Sequence, residues 1–146
     1  MLFRSHPAEP VLGNIVTNGF NGIRCDPEHG WQVRPGTIHP ECRTAELARL
    51  RVLPEEIVPE QILPFIPDAA RIDQVSDKRL RTFCDLLSDC ASIQAVTTKL
   101  LEDGDWDLTA VYFDSIDHFC HGFMNYHPPQ MANVPEEDFA ISELTS

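Results

Sequence analysis

The clearest hydrophobic pattern along the chain is a helical one between Ser76 and Gly104. Ser76 is a favourable residue to cap the start of a helix, and glycine is common just past a helix end. Between them, apolar or small residues recur at steps of three and four, which predicts one long helix with a packed face. These residues are Leu80, Phe83, Cys84, Leu87, Ala91, Ala95 and Thr98. Other apolar residues lie off this stripe, so we expect the helix to be covered on more than one side.

A short and almost uninterrupted apolar run follows this helix at residues 108–113. It is rich in residues that favour strands, as is typical of a strand buried on both faces of a parallel sheet. A long helix that leads into a buried strand is half of an αβ repeat. The pattern therefore predicts an α/β fold.

The other predicted elements are short. Residues 13–17 predict a strand, residues 44–52 a short helix, and residues 54–58 and 59–66 helical turns that begin with proline. Residues 135–138 have the composition of a helix start, at which we expect Glu136, Glu137 and Asp138 to be solvated. These short elements leave the long helix and the apolar run as the main evidence for the fold.

Residues 20–75 are the most proline-rich part of the chain, with seven of its 12 prolines. Prolines at this density favour short turns over long elements. We interpret this segment as a mostly helical or irregular surface insertion, a lid, within one domain that spans residues 1–146. A plain connecting segment would explain the composition equally well.

The charge of the chain is strongly acidic and unevenly placed. The 146 residues include 23 acidic and 11 basic side chains, a formal net charge of −12. Residues 102–146 hold ten of the acidic side chains and no lysine or arginine. This balance argues against nucleic acid and anionic membrane surfaces as partners. We expect the acidic end either to be solvated or to meet cations.

The compartment is predicted from cysteine usage and from the first residues. The five cysteines form no CxxC pair, which indicates reduced thiols rather than a disulfide framework. No run of apolar residues approaches the length of a membrane span, and residues 1–10 lack the apolar core of a signal peptide. A cytoplasmic location is favoured.

The best candidates for a functional site are the polar residues directly after the apolar run. In open α/β sheets, ligands bind beyond the carboxyl ends of the strands, and here that position holds Asp114, Asp117, His118 and His121. Carboxylate and imidazole groups together are typical ligands of zinc, manganese or iron. Asp114 and His118 are four residues apart, as are Asp117 and His121, so either pair would share one face of a helix. An aspartate and a histidine at this place can also simply cap the next helix and bind the loop.

Motifs of the commonest enzyme classes are absent from the chain. It contains no GxSxG, no P-loop and no GxGxxG sequence, which excludes the usual serine-hydrolase, nucleotide triphosphatase and dinucleotide-binding patterns. His127, which precedes two prolines, is more typical of a turn than of a ligand. The residues alone therefore indicate part of a metal site and no complete one.

The sequence AVYFDSIDHFCHGFMNYHPP, residues 110–129, closely resembles the strand and metal-binding segment of type I phosphodiesterase/nucleotide pyrophosphatase proteins. These belong to the alkaline phosphatase superfamily. The segments SHPAEP, GTIHPE, LRVLPEEI and QILPFIP are similar to a bacterial branch known as alkaline-phosphatase-family proteins. The resemblance extends from Ser5 to about Phe139.

The resemblance implies a partial alkaline-phosphatase-like α/β fold and phosphoester hydrolysis with two divalent metal ions, expected to be zinc. It assigns Asp114 and His118 to one of these ions, with Asp117 and His121 as weaker candidates. Where the family has glycine before the histidine, this chain has Asp117. We therefore expect Asp117 to contact a metal-ligating side chain or the substrate rather than the metal itself. The implied partner is a small phosphoester.

Two parts of the family pattern are missing from the chain. No early metal-binding aspartate with a threonine or serine nucleophile precedes SHPAEP, and no DHG-type segment follows later. We therefore expect an internal fragment of a larger hydrolase, inactive alone and weak in metal binding. The alternatives are an acidic binding domain without catalytic activity, and a small zinc protein that uses His118, His121 and Cys120.

Overall fold

The computed structural model describes residues 2–3, 7–8, 11–104 and 106–142. The chain is mixed α and β, with helices predominating over short strands. The coarse α/β class is therefore confirmed. Within the described residues, no helix is both long enough and apolar enough to cross a membrane.

The described strands form two small sheets, and the first of them has three strands. Its centre is β2 (Ile15–Thr17), which is parallel to β1 (Leu2–Phe3) and antiparallel to β5 (Ile38–His39). The second is an antiparallel hairpin of β3 (Arg24–Asp26) and β4 (Gly30–Gln32). The predicted strand at residues 13–17 is confirmed by β2.

Within the described part of the chain, five α-helices follow the strands. They are α1 (Thr44–Ala48), α2 (Pro59–Ile62), α3 (Arg79–Glu102), α4 (Ser115–Phe123) and α5 (Glu136–Ser142). A 3-10 turn at Pro54–Glu56 begins with the predicted proline. The sequence predicted α1, α2, α3, the start of α5 and this turn, because each contains its own start signal or its own apolar spacing. For α4 it predicted only which residues would share a face of a helix.

The chain divides into two compact units. Unit 1 contains residues 1–52 and 89–113, and unit 2 contains residues 53–88 and 114–146. The core of unit 1 consists of Val16, Phe20, Ile23, Ile38, Leu47, Ala48 and Val96. The core of unit 2 consists of Ile62, Ile66, Ala69, Ile72, Phe83 and Phe123. Each unit thus buries its own set of apolar side chains.

The long helix begins later than its sequence suggested. Residue Ser76 does not cap it, since its hydroxyl donates instead to Oδ2 of Asp73 at 2.7 Å. The first turn is held by Asp77, whose Oδ1 accepts a hydrogen bond from the backbone N–H of Arg79 at 2.8 Å. The end of the helix is as predicted, with Gly104 two residues past Glu102.

The prediction of a buried strand at residues 108–113 is wrong. The described residues contain no strand there, and Leu108 and Tyr112 are 75% and 49% exposed. A strand inside a parallel sheet needs hydrogen-bonded neighbours on both edges. The described strands pair only among themselves. Residues 108–113 therefore have the composition of a strand but no neighbour among the described strands to pair with.

Residues 20–75 are irregular and mostly exposed, as expected, but they also contribute side chains to both cores. They contribute Phe20, Ile23 and Leu47 to the core of unit 1 and Ile62, Ile66 and Ile72 to that of unit 2. Short proline-led turns can still place an apolar residue inward every three or four positions. The role of this segment as a lid stays a prediction.

Candidate functional site

The four candidate ligands lie on α4 or directly before it. Asp114 precedes the helix, and within the described residues its side chain makes no capping hydrogen bond. The rings of Phe119 and Phe123, on the apolar side of α4, pack against the ring of Phe83, with centroid distances of 5.3 and 5.5 Å. This packing fixes the helix and leaves the carboxylates and imidazoles towards solvent.

Asp114 and His118 form the first pair. Oδ2 of Asp114 lies 3.9 Å from Nε2 of His118, and the side chains are 24% and 52% exposed. The positive end of the helix dipole favours a carboxylate at the position of Asp114. The sequence spacing therefore correctly predicted that the two side chains share one face.

Asp117 and His121 form the second pair, one turn further along the same helix. Oδ1 of Asp117 lies 3.5 Å from Nε2 of His121, and both side chains are largely exposed, at 65% and 79%. The same four-residue spacing brings these groups together. In both pairs, the side chains are therefore close enough to remain candidate metal ligands.

The spacing within each pair fits two ligands of one metal ion. Zinc binds nitrogen and oxygen ligands at about 2.0–2.1 Å, so two ligand atoms in a tetrahedral site lie about 3.4 Å apart. Small rotations of the side chains would bring either pair to this distance. However, the described residues bring together no group of three or more potential ligands. Two ligands alone would hold a divalent ion weakly.

Cys120 and His127 do not complete either pair. Cys120 is exposed on α4, two residues after His118, and side chains at this spacing point away from each other. Nδ1 of His127 lies 2.7 Å from the carbonyl oxygen of Pro128, so this ring belongs to the turn, as the sequence suggested. The proposed zinc site of His118, His121 and Cys120 therefore receives no support from this geometry.

Sequence reasoning missed an ion-pair cluster around Arg79 in unit 2. Its guanidinium contacts the carboxylates of Asp77 and Asp138 and lies over the ring of Tyr126, 5.3 Å from the centroid. The hydrogen bond to Asp77 raises the pKa of Arg79, and the same bond lowers the pKa of the Asp77 carboxyl. Because Tyr126 and Asp138 lie 47 and 59 positions away in sequence, no local pattern could reveal the whole cluster.

The cluster also corrects one prediction about the acidic end. Asp138 was expected to be solvated with Glu136 and Glu137 at a helix start. The glutamates are exposed, but Asp138 is half-buried and accepts a hydrogen bond from Nη2 of Arg79 at 2.9 Å. Asp138 therefore pairs with a cation of the chain itself.

In comparisons with known proteins, no protein-family model, no curated protein and no solved structure matched this chain. The resemblance of residues 110–129 to the phosphodiesterases therefore stays a prediction from the sequence. Any functional proposal must rest on that prediction together with the geometry of α4.

Proposed function

We propose that Asp114 and His118 are two of the ligands of a divalent cation, expected to be zinc, in a metal-dependent phosphoester hydrolase. The observation that supports this is the approach of Oδ2 of Asp114 to Nε2 of His118, 3.9 Å apart on one face of α4. The proposed reaction class, phosphoester hydrolysis, comes from the resemblance of the surrounding sequence to type I phosphodiesterases.

Two physical arguments favour this pair over Asp117 and His121. Asp114 and His118 are less exposed, so fixing their side chains on a metal loses less conformational freedom. Asp114 also lies at the junction of the apolar run and α4, where its backbone is held by the packed helix. Asp117 adds negative charge one turn away, which favours a bound cation.

The two residues have distinct parts in the proposed site. The carboxylate of Asp114 would neutralise part of the metal charge, and the imidazole of His118 would bind in its neutral form. The cation, when bound, supplies charge stabilisation for phosphoryl oxygens. The pair alone would hold and orient the ion, and the nucleophile and remaining ligands would come from other residues. We therefore expect the chain by itself to lack turnover.

Paramagnetic NMR tests the ligand assignment directly. The chain would be titrated with Co²⁺, and the imidazole signals of His118 and His121 would be followed. We expect those of His118 to broaden and shift at lower metal concentration. Asp114→Asn should weaken this response by roughly tenfold, since it removes one charged ligand and keeps the shape.

Asp117→Asn is the matched control, because it removes the same charge from the neighbouring pair. It should weaken the response of His118 much less than Asp114→Asn does, because a nearby charge attracts the ion without binding it. A response that follows Asp117 and His121 instead, or no response from either ring, would contradict the assignment.

The expectation that the chain by itself lacks turnover has its own test. The purified chain, supplied with Zn²⁺, should not hydrolyse a p-nitrophenyl phosphodiester above the rate of Zn²⁺ alone. Substantial hydrolysis that Asp114→Ala abolishes would show that this chain completes a catalytic site, contrary to the expectation above.

A further inference from the structure

Unit 1 contains a cavity of about 380 Å³ beside its core. Strand β2 lines it with Ile15 and Val16, and the last turns of α3 line it with Val96 and Leu100. Val16 and Val96 are fully buried core residues. The floor of the cavity is thus formed by side chains that the fold already holds in place.

The exposed large apolar side chains of unit 1 are concentrated at this cavity. Within the described residues of the unit, they are Val11, Leu12, Leu101, Trp106, Leu108 and Tyr112. All but Tyr112 line the cavity. Concentrated exposed apolar surface of this kind marks a place where a ligand or partner binds. The volume lies within the range of pockets that hold small molecules.

The indole of Trp106 is held at the edge of the cavity. Its Nε1–H donates a hydrogen bond to the carbonyl oxygen of Leu100 at 2.6 Å. That carbonyl belongs to the last turn of α3 and has no partner within the helix. The ring is therefore fixed by its polar end, while 37% of the residue stays exposed.

The charge of the lining determines the kind of ligand. Among the described residues that line the cavity, Asp107 is the only charged one. It is exposed, and its carboxylate has no ion-pair or hydrogen-bond partner within the described residues. A negative charge beside an aromatic ring and an apolar cavity is complementary to an ammonium group attached to an apolar body.

We propose that this cavity binds a small amphipathic amine, with its apolar or aromatic body against the β2 and α3 walls and its ammonium group at Asp107 and Trp106. The described residues that line the cavity all belong to unit 1. Binding at this cavity does not depend on the metal ligands proposed above, which belong to unit 2. Failure of either proposal would therefore leave the other intact.

Dansylcadaverine is a suitable probe, because it combines an aromatic body with a primary amine and its fluorescence rises in apolar surroundings. We expect saturable binding to the chain. The N-acetylated probe, which has the same body without the charge, should bind about fivefold more weakly. Asp107→Asn should reduce binding of the amine to the level of the acetylated probe.

Two matched helix variants test the location. Thr97→Phe places bulk in the lining of the cavity and should abolish binding. Thr98→Phe, at the next and exposed position outside the lining, should not. Circular dichroism of both variants would show that the helix is retained.

Several outcomes would overturn the proposal. Equal binding of the two probes, or no effect of Asp107→Asn, would remove the amine as the preferred ligand. Equal loss in both threonine variants would place the probe elsewhere. Sedimentation that shows a dimer dissociated by Leu108→Glu would mean that a second copy of the chain covers the cavity.

Discussion

Arg51 donates a hydrogen bond from Nη1 to Oγ of Ser92 at 2.6 Å, and both residues are buried in unit 1. Nη2 of the same guanidinium reaches Oδ1 of Asp89 at 2.8 Å and the carbonyl oxygen of Asn21 at 3.0 Å. Ser92 also accepts a hydrogen bond from the backbone N–H of Val52 at 2.9 Å. A buried cation is tolerated here because carboxylate, hydroxyl and carbonyl oxygens surround it.

Arg51→Ala should therefore destabilise the chain by about 3 kcal/mol, because the change removes a buried cation that faces a carboxylate and several buried acceptors. Urea denaturation at pH 7 would measure the loss. Arg49→Ala, at an exposed position nearby, should stay within about 0.5 kcal/mol of the unaltered chain. Equal effects of the two substitutions would contradict the role given to Arg51.

The ion pairs of Asp103 predict a dependence of stability on pH. Its hydrogen bond to Lys99, and to a smaller extent its hydrogen bond to Arg43, lower the pKa of the Asp103 carboxyl below its ordinary value. The stabilisation is therefore complete above about pH 4, the unfolded pKa region. It is lost as the pH falls through the lower pKa of the folded state.

Asp103→Asn should accordingly lower the urea midpoint at pH 7, and this difference should shrink as the pH is taken from about 5 to 3. Added salt should shrink it as well, because these side chains are near the surface. Glu102→Gln is the control, since Glu102 is exposed and has no ion pair within the described residues. A difference for Asp103→Asn that does not change with pH would be inconsistent with the ion pairs.

The start of α3 offers a comparison between adjacent residues. Asp77→Ala should cost about 1 kcal/mol, because it removes the acceptor of the Arg79 backbone N–H and one of the carboxylates that Arg79 contacts. Ser76→Ala should have a much smaller effect, since its hydroxyl only reaches an exposed aspartate. Thermal unfolding of the two variants would test this order. The reverse order would support Ser76 as the cap.

Phe83 is the centre of an aromatic cluster in unit 2. Its ring lies 5.3–5.5 Å from those of Phe65, Phe119 and Phe123. Phe83→Ala should destabilise the chain by about 3–5 kcal/mol through lost burial and a cavity. Thr82→Ala, exposed on the same helix, should have little effect. Because the cluster holds α4, Phe83→Leu should also disturb the NMR signals of His118 before the chain unfolds.

Local sequence signals predicted the positions of the helices well. Proline-led turns, the apolar spacing of α3 and the acidic start of α5 each appear within a few residues of one another. The i, i+4 spacing also brought Asp114 to His118, because both lie in one turn of helix. Such features depend on contacts between near neighbours, so they can be recognised without the rest of the chain.

We could read from the sequence most of the helices, the acidic excess of residues 102–146 and the shared helix face of the carboxylate and imidazole pairs. The tertiary structure alone decided that residues 108–113 form no strand, that the proline-rich segment enters both cores, and that Arg51 and Arg79 are enclosed by acceptors. These outcomes depend on residues tens of positions apart. An apolar run becomes a strand only when other strands pair with it, and a charge is buried only when distant oxygens surround it.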